Sequence, residues 1–252
     1  MTVKELYTEL NKMISVELSC SWDNDGLMCC PNGEREVGRV LVALDVTDGV
    51  ADLAVAGGYD LIVSHHPFIF KGLKSVNEEN YVAAKAIKLI QNGISVFSFH
   101  TRLDAVRGGV NDVLAELLGI KNAVPFGDEG IGRVGELSCE IELSEFAKQV
   151  KNALGAPVVL SAGKRRVKRV AVLGGEGGDD IYSAISAGAD TYVSGRLGYH
   201  NMTDASGFGI NLLEAGHFYT EAPVCNTLKK MLCEIDGGLS VDVVCSNEIT
   251  AI

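Results

Sequence analysis

The sequence contains no Cys-x-x-Cys pair, and its seven cysteines are an odd number spread along the chain. Zinc ribbons and disulfide frameworks need closely spaced or paired cysteines, so neither class is expected. We expect free, buried thiols in a reducing compartment, because unpaired cysteine is among the most buried residue types. The cysteines stand at positions 20, 29, 30, 139, 225, 233 and 245.

The sequence also lacks an excess of basic residues, and it lacks an apolar run of about 18 residues. Its net charge of -11 and pI near 4.9 would repel phosphate backbones and anionic lipid. Nucleic acid and membranes are therefore not expected as partners. Residues 1–18 have the pattern of an amphipathic helix rather than of a signal peptide, so we expect a cytoplasmic protein without a membrane span.

Hydrophobic residues make up 47% of the 252 positions, enough for one large domain or two smaller ones. Strands at 40–46, 61–66 and 94–99 alternate with helices at 48–56, 80–91 and about 110–118. This alternation predicts an α/β fold with a parallel sheet covered by helices. The pattern restarts after 125–135, where a domain boundary is expected. Later strands are predicted at 135–141, 158–161, 167–173, 191–194, 211–214 and 239–244, with helices at 144–154, at 181–187 and after Thr220 as N-cap.

The apolar run from Leu61 to Phe70 is interrupted by two adjacent histidines and a proline. Pro67 cannot continue a strand ladder, so the strand should end at or before His66. Both imidazoles then lie at a carboxyl end, the edge where open α/β sheets bind ligands. Neighbouring strand residues point to opposite faces, so His65 and His66 would fan out toward two ions. The alternative is a pair of ordinary histidines that cap the strand through hydrogen bonds.

Four of the five histidines lie in segments where an apolar run meets a carboxylate. Imidazole and carboxylate suit zinc, manganese and iron, and a carboxylate can bridge two ions. For His217 and Glu221, the alternative is a hydrogen bond at the start of a helix. The candidate ligands of a site for two divalent metal ions are His65, His66, Asp104, His217 and Glu221.

Two further segments carry weaker signals. Residues 173–178 are rich in glycine but lack the lysine and hydroxyl of a P-loop, so a tight strand-to-helix turn is the alternative to a phosphate cradle. Residues 21–27 are predicted to be a loop, with Trp22 as a packing anchor.

Motifs in five regions carry a resemblance to a known family. They are Asp-Asn-x-Gly-Leu at 23–27, Val-Ala-Leu-Asp-Val-Thr at 42–47, Ser-His-His-Pro at 64–67, His-Thr-x-Leu-Asp at 100–104 with Gly-Gly-Val-Asn-Asp at 108–112, and Gly-His-x-x-Thr-Glu at 216–221. In this order they resemble the GTP cyclohydrolase I type 2-like family, also called the NGG-one-interacting-factor-three-like family. The resemblance implies a dinuclear metal centre on the five ligands, at strand carboxyl ends, and a toroidal homohexamer. It also implies two interleaved α/β domains with largely parallel sheets, residues 1–127 plus 216–252 and residues 128–215.

Two arginines depart from that family pattern. Arg102 stands where the family commonly has asparagine, and Arg196 where it tends to carry an acidic residue. Both are expected to alter the surroundings of the metals in a direction that favours a phosphate or carboxylate. His200 matches a family histidine and is the candidate proton shuttle or substrate contact, because imidazole transfers protons near neutral pH.

The sequence therefore predicts a metal-dependent hydrolase, cyclohydrolase-like or phosphatase-like, that acts on a small phosphorylated or nucleotide-like molecule. The ions would be zinc, iron or manganese, and a water shared by them would be acidic near neutral pH. The alternative is a non-catalytic metal-binding scaffold or metallochaperone, which would use the same ligands without an acid–base group.

Overall fold

The computed structural model describes residues 1–245 and 247–249. They form two compact units, residues 1–103 with 224–245 and residues 104–223 with 247–249. The chain passes from the first unit to the second and back, so the two units are interleaved.

Strands and helices alternate along most of the described chain. The strands are β1 (Gly26–Cys29), β2 (Arg39–Ala43), β3 (Leu61–Ser64), β4 (Ser95–Ser98), β5 (Lys121–Phe126), β6 (Gly132–Ile141), β7 (Leu160–Ala162), β8 (Val167–Glu176), β9 (Thr191–Arg196), β10 (Asn211–Glu214) and β11 (Ser240–Val244). The helices are α1 (Val3–Met13), α2 (Asp48–Ala56), α3 (Tyr81–Gln91), α4 (Thr101–Ala105), α5 (Val110–Leu117), α6 (Leu143–Leu154), α7 (Ile181–Ser186), α8 (Tyr199–Phe208), α9 (His217–Glu221) and α10 (Val224–Ile235).

The first unit is built on a sheet in the order β1-β4-β3-β2-β11. All neighbouring strands are parallel except β1 and β4. Every residue of β3 and β4 is buried, which explains their unbroken apolar sequences, since a parallel strand covered on both faces needs no alternation. Thr47 caps α2 as predicted, because its side chain accepts a hydrogen bond from the N–H of Val50.

The strand before the two histidines ends as the sequence predicts. β3 stops at Ser64, and the Ser64 hydroxyl donates to the carbonyl of His66 over 2.8 Å. Pro67 follows without an N–H to offer. The histidines therefore lie just beyond the carboxyl end of a central strand.

The second unit contains a six-stranded sheet in the order β5-β6-β8-β9-β10-β7. Only β8, β9 and β10 are mutually parallel, whereas β5, β6 and β7 join antiparallel. The expectation of largely parallel sheets thus holds for the first unit and not for this mixed sheet. Along β8 the side chains alternate between two cores: Val170 and Val172 pack with α5 and α6, and Ala171 packs with α7 and α8.

The chain passes from one unit to the other at 103/104 and 223/224, rather than at the expected positions 127 and 216. The physical reason lies in α5 and β5, which pack against β6 and β8. Leu114 and Ile120 are buried in the core of the second unit. The order of apolar and polar residues along the sequence does not show which strands α5 and β5 pack against.

Several elements differ from the sequence expectations. β1 begins inside the segment expected to be a loop. α8 has no counterpart among the predicted helices, because its glycine and small polar residues are weak helix formers. Thr220 does not cap a helix: it lies inside α9, and its hydroxyl donates to the carbonyl of His217. Trp22 is exposed, so its expected role as a packing anchor is not supported.

The cysteines are free, as expected, but not all of them are buried. Cys139, Cys233 and Cys245 are exposed. Among the described residues, no helix combines the length and the apolar character needed to cross a bilayer.

Candidate metal centre

Backbone and carboxylate oxygens orient the two histidines that follow β3. His65 is fully buried, and its Nδ1 lies 2.9 Å from the carbonyl of Phe99. His66 places Nδ1 2.7 Å from Oδ1 of Asp45, the aspartate that follows β2. A neutral imidazole that donates through Nδ1 presents the Nε2 lone pair for metal binding. Both histidines therefore have the tautomer and orientation that metal-ligating histidines use.

A third imidazole, His100, is oriented by the loop before β1. His100 Nδ1 donates to Asp23 over 2.9 Å, and the same carboxylate accepts from the hydroxyl and the N–H of Thr101. Asp25 accepts from the backbone N–H of His100. Burial raises the pKa of the Asp23 carboxyl, but the hydrogen bonds from His100 and Thr101 lower it by more, so this pKa lies well below its ordinary value. Asp23 therefore stays ionised and holds the His100 ring.

The three imidazoles form one cluster at the carboxyl ends of β3 and β4. Ring centroids are 5.0 Å apart for His65 and His66, 5.4 Å for His65 and His100, and 5.9 Å for His66 and His100. Asp104 is buried and lies on α4, whose first residue follows His100 directly. His65, His100 and Asp104 are of the residue types that ligate metal ions. The three clustered imidazoles of the first unit have the residue type to hold a metal ion.

The second unit brings His217 and Glu221 together on α9. Their Nε2 and Oε2 atoms are 2.9 Å apart, and Glu221 is buried. Room for this pair comes from glycines at the ends of two strands. A Cβ on Gly175 would stand 2.2 Å from Oε1 of Glu221, and one on Gly195 would stand 2.7 Å from Cα of His217. The glycine-rich end of β8 therefore accommodates a carboxylate.

Polar side chains join this glycine segment to its neighbours. The N–H of Gly174 donates to Asn111 over 2.8 Å, and the N–H of Gly175 donates to the Thr220 hydroxyl over 3.1 Å. The Asn111 amide in turn donates to the carbonyl of Asp104 over 3.4 Å. The motif at 108–112 thus positions the end of β8 and the segment that carries Asp104.

Comparison with known proteins decides the family. Residues 1–251 match the family described as Duf34/NIF3 (NGG1p interacting factor 3). The chain belongs to the Duf34/NIF3 family. The resemblance read from the motifs is therefore confirmed.

Relatives in the Duf34/NIF3 family match the chain over most of its length. A protein of Clostridium perfringens named GTP cyclohydrolase 1 type 2 homolog is 34% identical over 232 residues, which cover 89% of this chain and 88% of that protein. Protein NIF3 homolog of Schizosaccharomyces pombe is 31% identical over 256 residues, 93% of this chain and 90% of that protein. The crystal structure of Staphylococcus aureus hypothetical protein SA1388 superposes with a TM-score of 0.90 at 29% identity, covering 100% of this chain and 99% of that one.

Three more residues were named from the Duf34/NIF3 pattern, and their predicted roles stay predictions. Arg102 is fully buried, and its Nε donates over 2.9 Å to Asp25, which also accepts from the backbone N–H of His100. Its effect on the surroundings of the metals stays a prediction. Arg196 is 68% exposed and lies 3.6 Å from Glu176. His200 is exposed at the start of α8, and its role in proton transfer stays a prediction.

The structure adds residues that sequence reasoning did not assign. His100 is not among the five ligands predicted from the sequence, although the motif at 100–104 contains it. Asp23 and Asp45 lie in the motifs at 23–27 and 42–47, which provided the available signal for their roles. Gly175 and Gly195 could not be assigned, because their importance depends on where α9 packs.

Proposed function

We propose that the chain binds two divalent metal ions through His65, His66, Asp104, His217 and Glu221. Three nitrogen and two oxygen donors suit zinc, iron or manganese, and a bridging carboxylate suits a pair of ions. Support comes from the histidine cluster beyond β3 and β4. Further support comes from the His217 and Glu221 side chains on α9, which contact each other. His100 is an additional candidate, because its ring centroid lies 5.4 Å from that of His65 and Asp23 orients it.

The donor set passes a chemical test of fit. His65 and His66 use Nδ1 for protein oxygens, as metal-bound histidines do, and the carboxylates of Asp104 and Glu221 are buried. Buried carboxylates are rare unless they are paired or bind metals. The observation that carries the proposal is the cluster of three imidazoles beyond β3 and β4, each held at Nδ1 by a protein oxygen.

We propose further that the site hydrolyses a small phosphorylated or nucleotide-like substrate. When bound, two such ions supply an acidified water and polarise a phosphoryl oxygen. The protein's own contribution is to keep the rings of His66 and His100 fixed through Asp45 and Asp23. His200, an exposed histidine at the start of α8, is our candidate for the group that gives or takes a proton.

Metal analysis tests the first part of the proposal. Protein purified without chelator and then reconstituted should contain about two ions per chain. Glu221→Gln and Asp104→Asn should each lower this content. Glu234→Gln, an exposed glutamate on α10, is the matched control and should keep it. Near-zero content in the reconstituted native protein would refute the proposal.

A hydrolysis screen tests the second part. Metal-loaded protein is incubated with nucleotides and phosphate monoesters, with Asp104→Ala as the inactive control. His200→Gln should lower turnover by about 100-fold while both ions remain bound, as for a group that transfers protons. If the native protein turns over no compound faster than the control, the metal-binding scaffold or metallochaperone is the correct assignment.

We also propose that the chain assembles as a homohexamer and functions in the cytoplasm. The hexamer rests on the motif resemblance, and exposed aromatic side chains such as Tyr182 and Tyr199 offer apolar contact surface. Free cysteines suit a reducing compartment. Light scattering should give six times the 26.8 kDa mass of the chain, and a monomer at micromolar concentration would contradict the assembly.

A further inference from the structure

A cavity of about 640 Å³ lies in the first unit beside the histidine cluster. It is formed by the turn after β2, the loop between β3 and α3, and the first turn of α3. His66 lies in its wall, and so does Phe70, whose ring centroid is 6.1 Å from that of His100. Its volume is in the range of small-molecule sites, about 300–1,000 Å³.

One wall of the cavity carries a buried lysine. Lys85 is 5% exposed, and its Nζ donates to the carbonyl of Val46 over 2.7 Å and to the Tyr81 hydroxyl over 3.0 Å. Within the described part of the chain, no carboxylate lies at ion-pair distance from this ammonium. An ammonium has three donors, and a buried charge without a counter-ion is costly. An anion in the cavity would compensate that charge.

Two more lysines line the same cavity. Lys71 and Lys74 are exposed, and the described structure gives neither of them a hydrogen bond or ion pair. Asp45 brings one negative charge to the wall, where it accepts from His66. Three ammonium groups against one carboxylate leave a local charge of about +2 in a chain whose net charge is -11. Such a local excess favours a doubly charged anion.

The start of α3 does not itself supply the anion site. Asn80 caps the helix, and its side chain already accepts from the N–H groups of Val82 and Ala83. The lysines are therefore the groups that would bind the charge. Aromatic rings complete the walls: Phe68 is buried and Phe70 is half exposed, so a planar ring could pack against them.

We infer that this cavity binds a phosphate monoester that carries an aromatic ring, with the phosphate on Lys71, Lys74 and Lys85 and the ring against Phe68 and Phe70. The inference rests on the proposed function in taking this molecule to be the substrate. It names the substrate class, because a dianionic phosphate matches the charge excess and an aromatic ring matches the walls.

Binding of benzylphosphonate tests the inference. This compound keeps the dianion and the ring, and its carbon–phosphorus bond resists hydrolysis. Isothermal titration on the full-length, metal-loaded protein should show that Lys71→Met/Lys74→Met raises Kd by about tenfold, through loss of charge-assisted hydrogen bonds. The matched control is Lys148→Met/Lys151→Met on α6, which removes the same charge from exposed positions outside the cavity. It should leave Kd within about twofold.

Three other ligands separate the parts of the assignment. Benzyl alcohol should bind at least tenfold more weakly than benzylphosphonate if the charge matters, and phenylacetate should be intermediate. Inorganic phosphate should bind more weakly than benzylphosphonate if the ring matters. Equal affinity for benzyl alcohol, or an unchanged Kd in Lys71→Met/Lys74→Met, would overturn the inference. Lys85→Met should also weaken binding, but the two exposed lysines decide the matter if that variant fails to fold.

The Asp104→Ala variant keeps this test apart from the test of hydrolysis. In this variant we expect lysine-dependent binding of benzylphosphonate to persist, because the altered residue does not line the cavity. If lysine-dependent binding persists but the native protein hydrolyses no compound, the proposed reaction is refuted and the anion site is supported. If the native protein hydrolyses a compound but benzylphosphonate binding does not depend on the lysines, the anion site is refuted and the proposed reaction is supported.

Discussion

The two units contain the same series of elements with different strand ends. β2-α2-β3-α3-β4 in the first unit corresponds to β8-α7-β9-α8-β10 in the second, with three parallel neighbouring strands in each. An aspartate precedes the central strand in both, Asp60 or Asp190, and accepts N–H groups at the start of the neighbouring strand. Beyond the third strand comes a histidine with a carboxylate four residues later, His100 with Asp104 and His217 with Glu221.

The difference appears after the serine that follows each buried central run. The first unit continues Ser64-His65-His66, and the second continues Ser194-Gly195-Arg196. His65 presents a ligand held by hydrogen bonds, whereas Gly195 presents nothing and lets α9 approach the sheet. The same backbone arrangement thus carries candidate ligands in the first unit and makes room for α9 in the second. Substitutions should therefore disturb the first unit through hydrogen bonds and the second through packing.

The largest effect is expected for Gly195→Ala. The new Cβ would stand 2.5 Å from the carbonyl oxygen of Gly175 and 2.7 Å from Cα of His217, and backbone atoms cannot easily move aside. We expect a loss of about 3 kcal/mol in the free energy of unfolding and a lower metal content. Gly207→Ala on α8 is the control, because no atom lies within 4 Å of its new Cβ; it should be neutral or stabilising by up to about 1 kcal/mol. Urea unfolding measures both, and equal effects would contradict the packing argument.

Asp23→Asn tests the hydrogen-bonded side of the comparison. The variant keeps an oxygen but loses the charge that holds His100 and Thr101. We expect metal affinity to fall about 10- to 100-fold, as for other partners of metal-bound histidines. Competition with a chromogenic chelator measures it. The control is Asp52→Asn, which removes an equal charge from an exposed ion pair with Lys88; an equal loss of affinity there would refute the specific role of Asp23.

Asp60→Asn tests a feature shared by both units. Burial raises the pKa of Asp60, but hydrogen bonds from the backbone of Arg39 and Gly38 and from the Arg35 side chain lower it by more, so it lies below its ordinary value of 3.8. The stabilisation is therefore present above pH 3.8 and is lost as the pH falls through the folded-state pKa. The variant should lose about 1–2 kcal/mol at neutral pH, and the difference from native protein should shrink in acid.

The counterpart of this change is Asp190→Asn. It should cost a similar amount at neutral pH, because Asp190 accepts from the N–H groups of Lys168 and Arg169 at 3.0 and 2.7 Å. Urea unfolding of both variants decides whether the two aspartates serve one purpose. A loss confined to one unit would show that the shared arrangement is not equally important in both.

The smallest effect is expected for Arg196→Ala. This side chain is 68% exposed, and its ion pair with Glu176 spans 3.6 Å. Exposed pairs contribute about 0–1 kcal/mol, so the unfolding free energy should change by less than about 0.5 kcal/mol. The same measurement checks it, and a larger loss would show that this strand end is more constrained than its exposure indicates.

Local patterns predicted the parts of the molecule that local forces determine. The N-cap at Thr47, the end of β3 before His65 and the bounds of β10 follow from capping, proline chemistry and apolar runs. The antiparallel pairing of β5 and β6 and the transfer of α5 to the second unit depend on packing partners far along the chain. The same holds for the ring of His100, which is held by Asp23 from 77 residues away.

The buried arginine at position 102 has a consequence for how this family varies. Its guanidinium satisfies Asp25 and reaches the side chain of Asn11 over 2.7 Å, with both ends of the ion pair almost fully buried. A chain with asparagine at this position would leave the Asp25 carboxylate buried without its counter-charge, at a cost of several kcal/mol. Among relatives, positions 11, 25 and 102 are therefore expected to change together, as one inherited unit, and an alignment in which they vary independently would contradict this.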